Sequence, residues 1–364
     1  MTSLAFVRGK VSSAVFLDKG ADGVHLDQPS LAQMKISARA SSSSKNIIRG
    51  LLDQGTIQSA EEWKLWSGPL HQIDDVALLP VKLFPCEGTL TSNALVDHIQ
   101  RQGQPDILWV EDRQAPPYLQ QIFENCPDSF KIVYGKHWHP WKIEMLDQYD
   151  LCLVDEADQA EKIQQRFPDV PCGVWDKLID AEHTHHPLPV EKKYDICYNA
   201  YLRPRKEHEV LFQAMHALKD RQLNCVCIGG DRHGHRAHLE QLAKALDIHV
   251  EFVGEVGKAD VNRYINASKV GVICCRRDAA PRALLEYLAA DVPVVVRDDL
   301  LAGQRYVDSK SGIICAVEQF HQGLATALDQ LEAFSPRAQF QQKFSYGQVM
   351  QTFTRLLTEA GFGR

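Results

Sequence analysis

The sequence predicts an α/β protein made of two domains, each built around a parallel sheet. Its 364 residues are about what two domains require. From residue 105 onward, short β-rich runs alternate with segments of about 12 to 25 residues that have helical periodicity. This alternation is typical of strand, crossover helix and strand units. It breaks once, between Asp176 and Lys193, where we place a domain boundary.

The predicted strands are continuous apolar runs, which is typical of strands buried on both faces of a sheet. From residue 105 they are Ile107–Val110, Lys131–Tyr134, Leu151–Val154, Gly173–Trp175, Asp195–Tyr198, Asn224–Ile228, Val250–Val253, Val270–Cys274, Val292–Val296 and Ile313–Cys315. The predicted helices between them include Glu207–Asp220, Ala237–Leu246 and Lys258–Ala267. A last helix, from Tyr346 to about Ala360, places apolar residues on one face.

Two such halves predict two Rossmann-like domains that face each other across a cleft, with ligands at the carboxyl ends of the strands. We assign residues 1–178 to an N-terminal domain, 193–345 to a C-terminal domain and 346–364 to the terminal helix.

The first hundred residues carry weaker patterns. Leu4–Val7 and Ala14–Leu17 are predicted strands, and Asn46–Asp53 is a predicted helix. The serine run Ser41–Ser44 before that helix offers N-caps and free amides for an anion or a hydroxyl-rich ligand. A flexible polar loop is the alternative.

Charge and cysteine usage narrow the class of protein. The half up to Asp180 has 17 Lys and Arg against 25 Asp and Glu, whereas the remainder has 23 against 22. The acidic half argues against nucleic acid or anionic lipid as its partner. Most of the ten cysteines lie in apolar runs, which predicts buried, reduced thiols. With no predicted transmembrane segment or signal peptide, we expect a cytoplasmic enzyme or binding protein.

The stretch from Val272 to Val296 is the most informative for function. It predicts a strand, a short loop opened by Asp278, a helix that begins near Pro281, and a second strand. The free N–H groups at a helix start can bind phosphate. Glu286, one and a half turns into that helix, is placed to accept hydrogen bonds from the vicinal hydroxyls of a ribose.

Asp278 and Glu286, eight positions apart with Pro281 and Ala-Ala-Asp-Val-Pro-Val-Val downstream, resemble the two-acid motif of retaining glycosyltransferases of family 4, also called glycosyl transferases group 1. That family has the GT-B fold. The resemblance implies that Asp278 and the loop Ala279, Ala280 and Pro281 hold the donor sugar and that Glu286 holds the ribose. Asp278 replaces the usual Glu, and Ala279-Ala280 the usual Gly-Phe.

A second match surrounds the basic segment after Tyr198. Lys206 falls on the family's phosphate-binding lysine. Tyr201 occupies the position of the family's arginine, for which Arg203 or Arg205 can substitute. The alternative interpretation is a solvated basic helix start.

Four shorter matches complete the resemblance. Gly230 lies in a strand-end glycine turn that approaches the donor, and Gly254 and Glu255 lie in a segment that contacts the nucleotide base through its backbone. His137 falls on a donor-sugar histidine of the N-terminal domain, with His139 as a competing candidate. Phe344-Ser-Tyr resembles the opening of a helix that crosses back to the N-terminal domain.

Two further histidine clusters are predicted to be solvated loop residues, because neither has a paired Cys or carboxylate at metal-ligand spacing. They are His183, His185 and His186, and His233, His235 and His238. We therefore expect no metal and no cofactor.

The resemblance implies a metal-independent, retaining glycosyltransferase of the hexosyltransferase type. Its co-substrate would be a UDP-, GDP- or ADP-sugar, and its acceptor hydroxyl would lie on a glycan, a lipid-linked sugar or a small molecule. Two alternatives stay open: a degenerate GT-B module that binds a nucleotide or sugar without transfer, and a sugar-nucleotide epimerase.

Overall fold

The computed structural model of the chain describes residues 2–8, 31–32, 42–74, 79–87, 90–111, 114, 116–135, 139–231, 234–278 and 280–363. The chain divides into two compact units. The first comprises Met1–Asp176 with Met350–Arg364, and the second comprises Lys177–Val349. The predicted strand Ala14–Leu17 lies outside the described residues.

The first unit alternates strands and helices along most of its length. Its elements are β1 (Ser3–Arg8), α1 (Ser43–Asp53), β2 (Ser59–Trp66), β3 (His71–Ile73), β4 (Val81–Pro85), α2 (Asn93–Gln102), β5 (Ile107–Glu111), α3 (Pro116–Asn125), β6 (Phe130–Tyr134), β7 (Leu151–Val154), α4 (Ala157–Gln164) and β8 (Cys172–Val174).

These eight strands form one sheet in the order β3-β4-β2-β1-β5-β6-β7-β8. All neighbouring pairs are parallel except β3 with β4, which is antiparallel. The central strands are buried throughout, as the apolar runs predict. Ser42 caps α1, accepting a hydrogen bond from the backbone N–H of Lys45 at 3.2 Å, so the serine run serves as the start of a helix.

Strand β2 was not predicted, because charged residues interrupt its apolar pattern. The structure buries these charges in ion pairs. Glu62 is fully buried, with Lys45 Nζ at 2.6 Å and Lys64 Nζ at 3.0 Å from its carboxylate oxygens. Buried charges persist in proteins when they are paired in this way.

The terminal helix α11 (Tyr346–Glu359) contributes its residues from Met350 onward to the first unit. Phe353 stacks on Trp109 with ring centroids 5.1 Å apart and an interplanar angle of 12°. Leu356 packs directly over Gly173, where a β-carbon would lie 2.7 Å from the leucine side chain. The predicted return of this helix to the N-terminal domain is confirmed.

In the second unit, strands and helices alternate along most of the chain. Its elements are β9 (Tyr194–Asn199), α5 (His208–Ala217), β10 (Asn224–Ile228), α6 (His235–Ala245), β11 (His249–Gly254), α7 (Lys258–Asn266), β12 (Ser268–Ile273), α8 (Arg282–Ala289), β13 (Val294–Arg297), β14 (Gly312–Cys315), α9 (Phe320–Asp329) and α10 (Pro336–Phe344).

The six strands of the second unit are all parallel and follow the order β11-β10-β9-β12-β13-β14. The strand order reverses between β9 and β12, so the connections on the two sides of β9 run in opposite directions. Ligands of open parallel sheets bind at such a switch point, outside the carboxyl ends of the strands. The predicted α/β class with two Rossmann-like sheets is confirmed.

Two chain-wide features complete the fold. All ten cysteines are free thiols, and seven of them are buried, consistent with their apolar sequence context. None of the described helices is long and apolar enough to cross a membrane.

Glu61 on β2 links three elements of the first unit. Its carboxylate accepts hydrogen bonds from Trp63 Nε1 at 2.5 Å and from His98 Nε2 at 2.8 Å, and Lys82 Nζ lies 2.8 Å away. Burial opposes ionisation of Glu61, but the hydrogen bonds from His98, Lys82 and Trp63 prevail and lower its pKa to about 2. The pKa of an unfolded glutamate lies near 4.3, so ionised Glu61 stabilises the fold above that pH.

We expect Glu61→Gln to lower the free energy of unfolding by about 1–3 kcal/mol at pH 7, because a partly screened charge network is lost. The difference from the natural chain should shrink as the pH falls below about 4.3 towards 2. Urea unfolding at pH 7 and pH 3 measures it, with the exposed Glu124→Gln as control. A difference that is the same at both pH values would contradict this origin of the stability.

Candidate functional site

The second unit contains a cavity of about 420 Å³ near the carboxyl ends of β9, β10 and β12. It therefore lies where the strand order predicts a ligand site. Its wall is formed by the carboxyl ends of these strands and the turns after them, by the turn after β11, by the first residues of α7 and α8, and by His185. The residues of the wall are His185, Tyr198, Asn199, Ala200, Tyr201, Lys206, Ile228, Gly229, Gly230, Glu255, Val256, Lys258, Val261, Ile273, Asp278, Pro281, Arg282, Ala283 and Glu286.

Lys206 reaches the cavity from a short 3-10 helix, Pro204–Lys206, between β9 and α5. The Leu202 N–H donates to the carbonyl of Gly230 at 3.0 Å, which ties this segment to the end of β10. The buried Tyr198 hydroxyl donates to the carbonyl of Lys206 at 2.5 Å. The backbone of Lys206 is thus held in place by Tyr198 of β9, the strand that precedes it.

The ammonium group of Lys206 forms an ion pair with the carboxylate of Asp278. Both side chains are mostly buried, with 13% and 16% of their surface exposed. Burial alone would raise the pKa of Asp278, but the charge of Lys206 and its hydrogen bond lower it below the usual value. Asp278 is therefore ionised at neutral pH.

The loop after Asp278 has an unusual backbone conformation. Ala280 has φ of 47°, in the left-handed region that side chains other than glycine rarely adopt. Lys177 Nζ donates to the Ala280 carbonyl at 2.6 Å. Gly303 lies against the other side, where a β-carbon would be 3.1 Å from the Ala280 Cα. These contacts support the strained turn that leads into α8.

Glu286 lies on α8 and is buried, with 4% of its surface exposed. Arg282 Nε donates to its Oε1 at 2.8 Å, and Asn199 Nδ2 donates to its Oε2 at 2.8 Å. Burial raises the pKa of Glu286, but the charge of Arg282, its hydrogen bond and the charge of Lys258 outweigh it and lower the pKa overall. The carboxylate is therefore ionised and oriented.

Helix α8 is fixed to β9 by the next residue, Tyr287. Its hydroxyl accepts from the Asn199 N–H at 2.7 Å and donates to the Cys197 carbonyl at 3.0 Å. The ring packs on Gly271 of β12, where a β-carbon would come within 2.6 Å of it. This contact sets the distance between Asn199 and Glu286.

The glycine turn after β10 closes the cavity on the other side. Gly229 has φ of +150°, and a β-carbon there would lie 2.3 Å from the Ala200 carbonyl oxygen. Only glycine fits this crossing of two chain segments. Gly230, next along the chain, faces Glu255, whose carboxylate would be 2.8 Å from an added β-carbon.

The structure brings most of the predicted site residues together. Lining the cavity are Lys206, Gly230, Glu255, Asp278, Pro281 and Glu286. Ala280 lies in the strained turn before α8, and the carbonyl of Gly254, at the end of β11, accepts from the Gly229 N–H at 2.8 Å.

The structure does not place the other four predicted residues in the cavity wall. Arg203 and Arg205 lie on the 3-10 segment but not in the cavity wall, and the Arg203 guanidinium lies 5.8 Å from the ring centre of Tyr201. Ala279 and His137 lie outside the described residues. The competing candidate His139 is described and belongs to the first unit.

Among the residues of the cavity wall that sequence reasoning missed, four are charged or polar: Asn199, His185, Lys258 and Arg282. Arg282 could have been found, because it precedes Glu286 by one helical turn. The prediction that His185 is a solvated loop residue is wrong, since only 3% of its surface is exposed. Among the described residues, no group of three or more His, Cys, Asp and Glu could hold a metal ion.

Residues 180–346 match the family model described as "Glycosyl transferases group 1". No curated protein matches the whole sequence in a direct comparison.

Solved structures share the fold of the entire chain. Sucrose-phosphate synthase from Thermosynechococcus elongatus superposes with a TM-score of 0.71, 13% identity and coverage of 99% of both chains. HepE from Anabaena, solved with UDP, gives 0.70 and 13%, covering 99% of this chain and 100% of that one. The pneumococcal O-GlcNAc transferase GtfA, solved with UDP and GlcNAc, gives 0.65 and 10%, with 99% of each chain covered.

The family match covers the unit that contains the cavity, and the structural matches cover both units. The chain has the GT-B fold, and its residues 180–346 are similar to the glycosyl transferases group 1 family.

Proposed function

We propose that this chain is a retaining glycosyltransferase that moves a sugar from a nucleoside-diphosphate sugar to an acceptor hydroxyl without a metal. The observation that carries the proposal is the single cavity in which Lys206, Asp278 and Glu286 meet at the carboxyl edge of the sheet. HepE and GtfA, which share the fold, were solved with UDP together with glucose and GlcNAc, respectively. Sugar transfer is the chemistry that both the family and these neighbours support.

In this proposal, Glu286 binds the ribose of the donor. Each of its carboxylate oxygens already accepts one hydrogen bond, from Arg282 and from Asn199. A carboxylate oxygen has two acceptor positions, so each can accept one further hydroxyl. Two vicinal hydroxyls match that remaining capacity.

Lys206 binds the diphosphate, together with the free N–H groups at the start of α8. When the glycosidic bond breaks, negative charge develops on the phosphate oxygen that leaves. A fixed cation in a partly buried site stabilises this charge more in the transition state than in the ground state. Lys258 and Arg282 add positive charge to the same wall.

Asp278 and the amides of Ala279 and Ala280 hold the donor sugar, as the family resemblance implies for these residues and for His137. The acceptor oxygen bonds to the anomeric carbon as the bond from that carbon to the phosphate oxygen breaks. Attack comes from the face that the diphosphate leaves, and a phosphate oxygen takes the acceptor proton. The reaction then needs no protein nucleophile.

A panel of UDP-, GDP- and ADP-sugars, followed by mass spectrometry of each donor, tests the proposal. Release of the nucleoside diphosphate with transfer of the sugar to an acceptor of a glycan panel supports it. Conversion of the donor to an epimer would instead indicate an epimerase. Nucleotide binding without turnover of any donor would indicate a binding module.

We expect Lys206→Ala to reduce kcat for transfer by roughly 100-fold or more, because the developing phosphate charge loses its cation. The initial rate of nucleoside diphosphate release measures it, and exposed Lys219→Ala is the matched control. Lys206→Gln, which can still hydrogen-bond Asp278, is the second variant if the alanine variant melts early. Rates like those of the natural chain in a folded variant would refute the role of Lys206.

We expect Asp278→Asn to separate nucleotide binding from transfer. The change removes the carboxylate that competes with phosphate for Lys206, so affinity for the nucleoside diphosphate should rise about two- to five-fold. Transfer should fall about ten-fold, because a charged acceptor for the sugar hydroxyls is lost. Calorimetric titration and initial rates measure the two effects, with exposed Asp220→Asn as control. A parallel loss of both would contradict this division of roles.

A further inference from the structure

His185 lies in a turn that hydrogen bonds to Asp180 hold in place. The carbonyl of Asp180 accepts from the His185 N–H at 3.0 Å and from the Thr184 hydroxyl at 2.7 Å. The Asp180 carboxylate accepts from the His183 N–H at 3.0 Å. This turn fixes the direction in which the His185 ring leaves the chain.

Two buried asparagines of α7 anchor the same segment. Asn262 and Asn266 each donate from Nδ2 to the carbonyl of His186 at 3.0 Å. Asn266 Oδ1 also accepts from the Leu188 N–H at 2.7 Å. The segment is therefore attached to α7. His185 lies between the turn at Asp180 and this attachment, and it lines the cavity.

The His185 ring has no hydrogen-bond partner within the part of the chain that the structure describes. Both Nδ1 and Nε2 are buried, and the residue lines the cavity. Its Nε2 lies 3.6 Å from Oε1 of Glu286, beyond hydrogen-bond distance. A buried polar group without a protein partner is costly, so a buried ring that faces a cavity is suited to hydrogen-bond a ligand there.

We propose that His185 is a donor-binding residue that hydrogen-bonds a ribose hydroxyl together with Glu286, so that the site selects ribonucleotides over deoxyribonucleotides. This inference rests on the proposed function, because it requires a nucleotide in the cavity.

The chemistry requires one hydroxyl to contact both side chains. The hydroxyl donates its proton to Glu286 Oε1, which keeps its hydrogen bond from Arg282. Its own oxygen then accepts from a ring N–H of His185. Burial lowers the pKa of His185, so the ring is neutral and carries one N–H donor. A deoxynucleotide lacks the bridging hydroxyl and leaves the ring without a partner.

The test compares the affinities of the full chain for ribose and deoxyribose nucleotides. Calorimetric titration with UDP, GDP and ADP identifies the nucleotide that binds, and its 2′-deoxy and 3′-deoxy forms follow. We expect the natural chain to prefer the ribose form. In His185→Phe, which keeps a ring but no nitrogen, affinity for the ribose form should fall about three- to ten-fold. For the deoxy form that lacks the bridging hydroxyl, the affinity of His185→Phe should equal that of the natural chain.

Three further variants make the result specific. His185→Gln retains an N–H donor and should restore most of the ribose preference. His185→Leu replaces the Phe variant if the latter does not fold. His183→Phe, on the same turn with 81% of its side chain exposed, should bind like the natural chain.

Equal losses for the ribose form and both deoxy forms in His185→Phe would show a merely structural role and overturn the inference, as would no loss at all. A natural chain that binds none of the three nucleoside diphosphates would overturn the proposed function itself. The two failures are therefore distinguishable.

Discussion

The site depends on one close approach of two chain segments. The turn after β10 crosses the segment after β9 so tightly that a β-carbon at Gly229 would lie 2.3 Å from the carbonyl oxygen of Ala200. The same crossing pairs Leu202 with Gly230 and begins the segment that ends at Lys206. A larger residue at position 229 would push these strands' ends apart. The position of Lys206 and the glycine turn of the cavity wall therefore both depend on the absence of a side chain at Gly229.

The cavity combines buried charge with fixed geometry. Asp278 and Glu286 remain ionised although burial opposes it, because cations from other elements lie against them. Ionised groups in a site of low dielectric interact strongly with a charged ligand and need little rearrangement when it binds. Since Lys206 already pairs with Asp278, a donor diphosphate must share or displace that contact. In the proposed function, binding of the phosphate and release of Asp278 towards the sugar would thus be coupled.

Apolar runs were sufficient to predict the strands of the second unit, and the family resemblance of the motifs beside them predicted Lys206, Asp278 and Glu286 as site residues. Two features could not be predicted this way. Strand β2 carries Glu61 and Glu62, whose charges are paired by lysines of other elements, Lys82 of β4 and Lys45 of α1. The burial of His185 depends on Asn262 and Asn266, which hold the carbonyl of the next residue, His186, from 76 and 80 residues along the chain. Long-range hydrogen bonds leave no periodic pattern in the sequence.

The position of His185 also changes how the segment from Asp176 to Lys193 is understood. Without helical or strand periodicity, it resembles a passive connection between domains. The structure instead gives it three kinds of contact: its own turn, the α7 asparagines and the wall of the cavity. A segment with these contacts cannot move independently of α7 without losing buried hydrogen bonds. Any ligand that bridges His185 and Glu286 would therefore stabilise the start of the second unit as well as its own site.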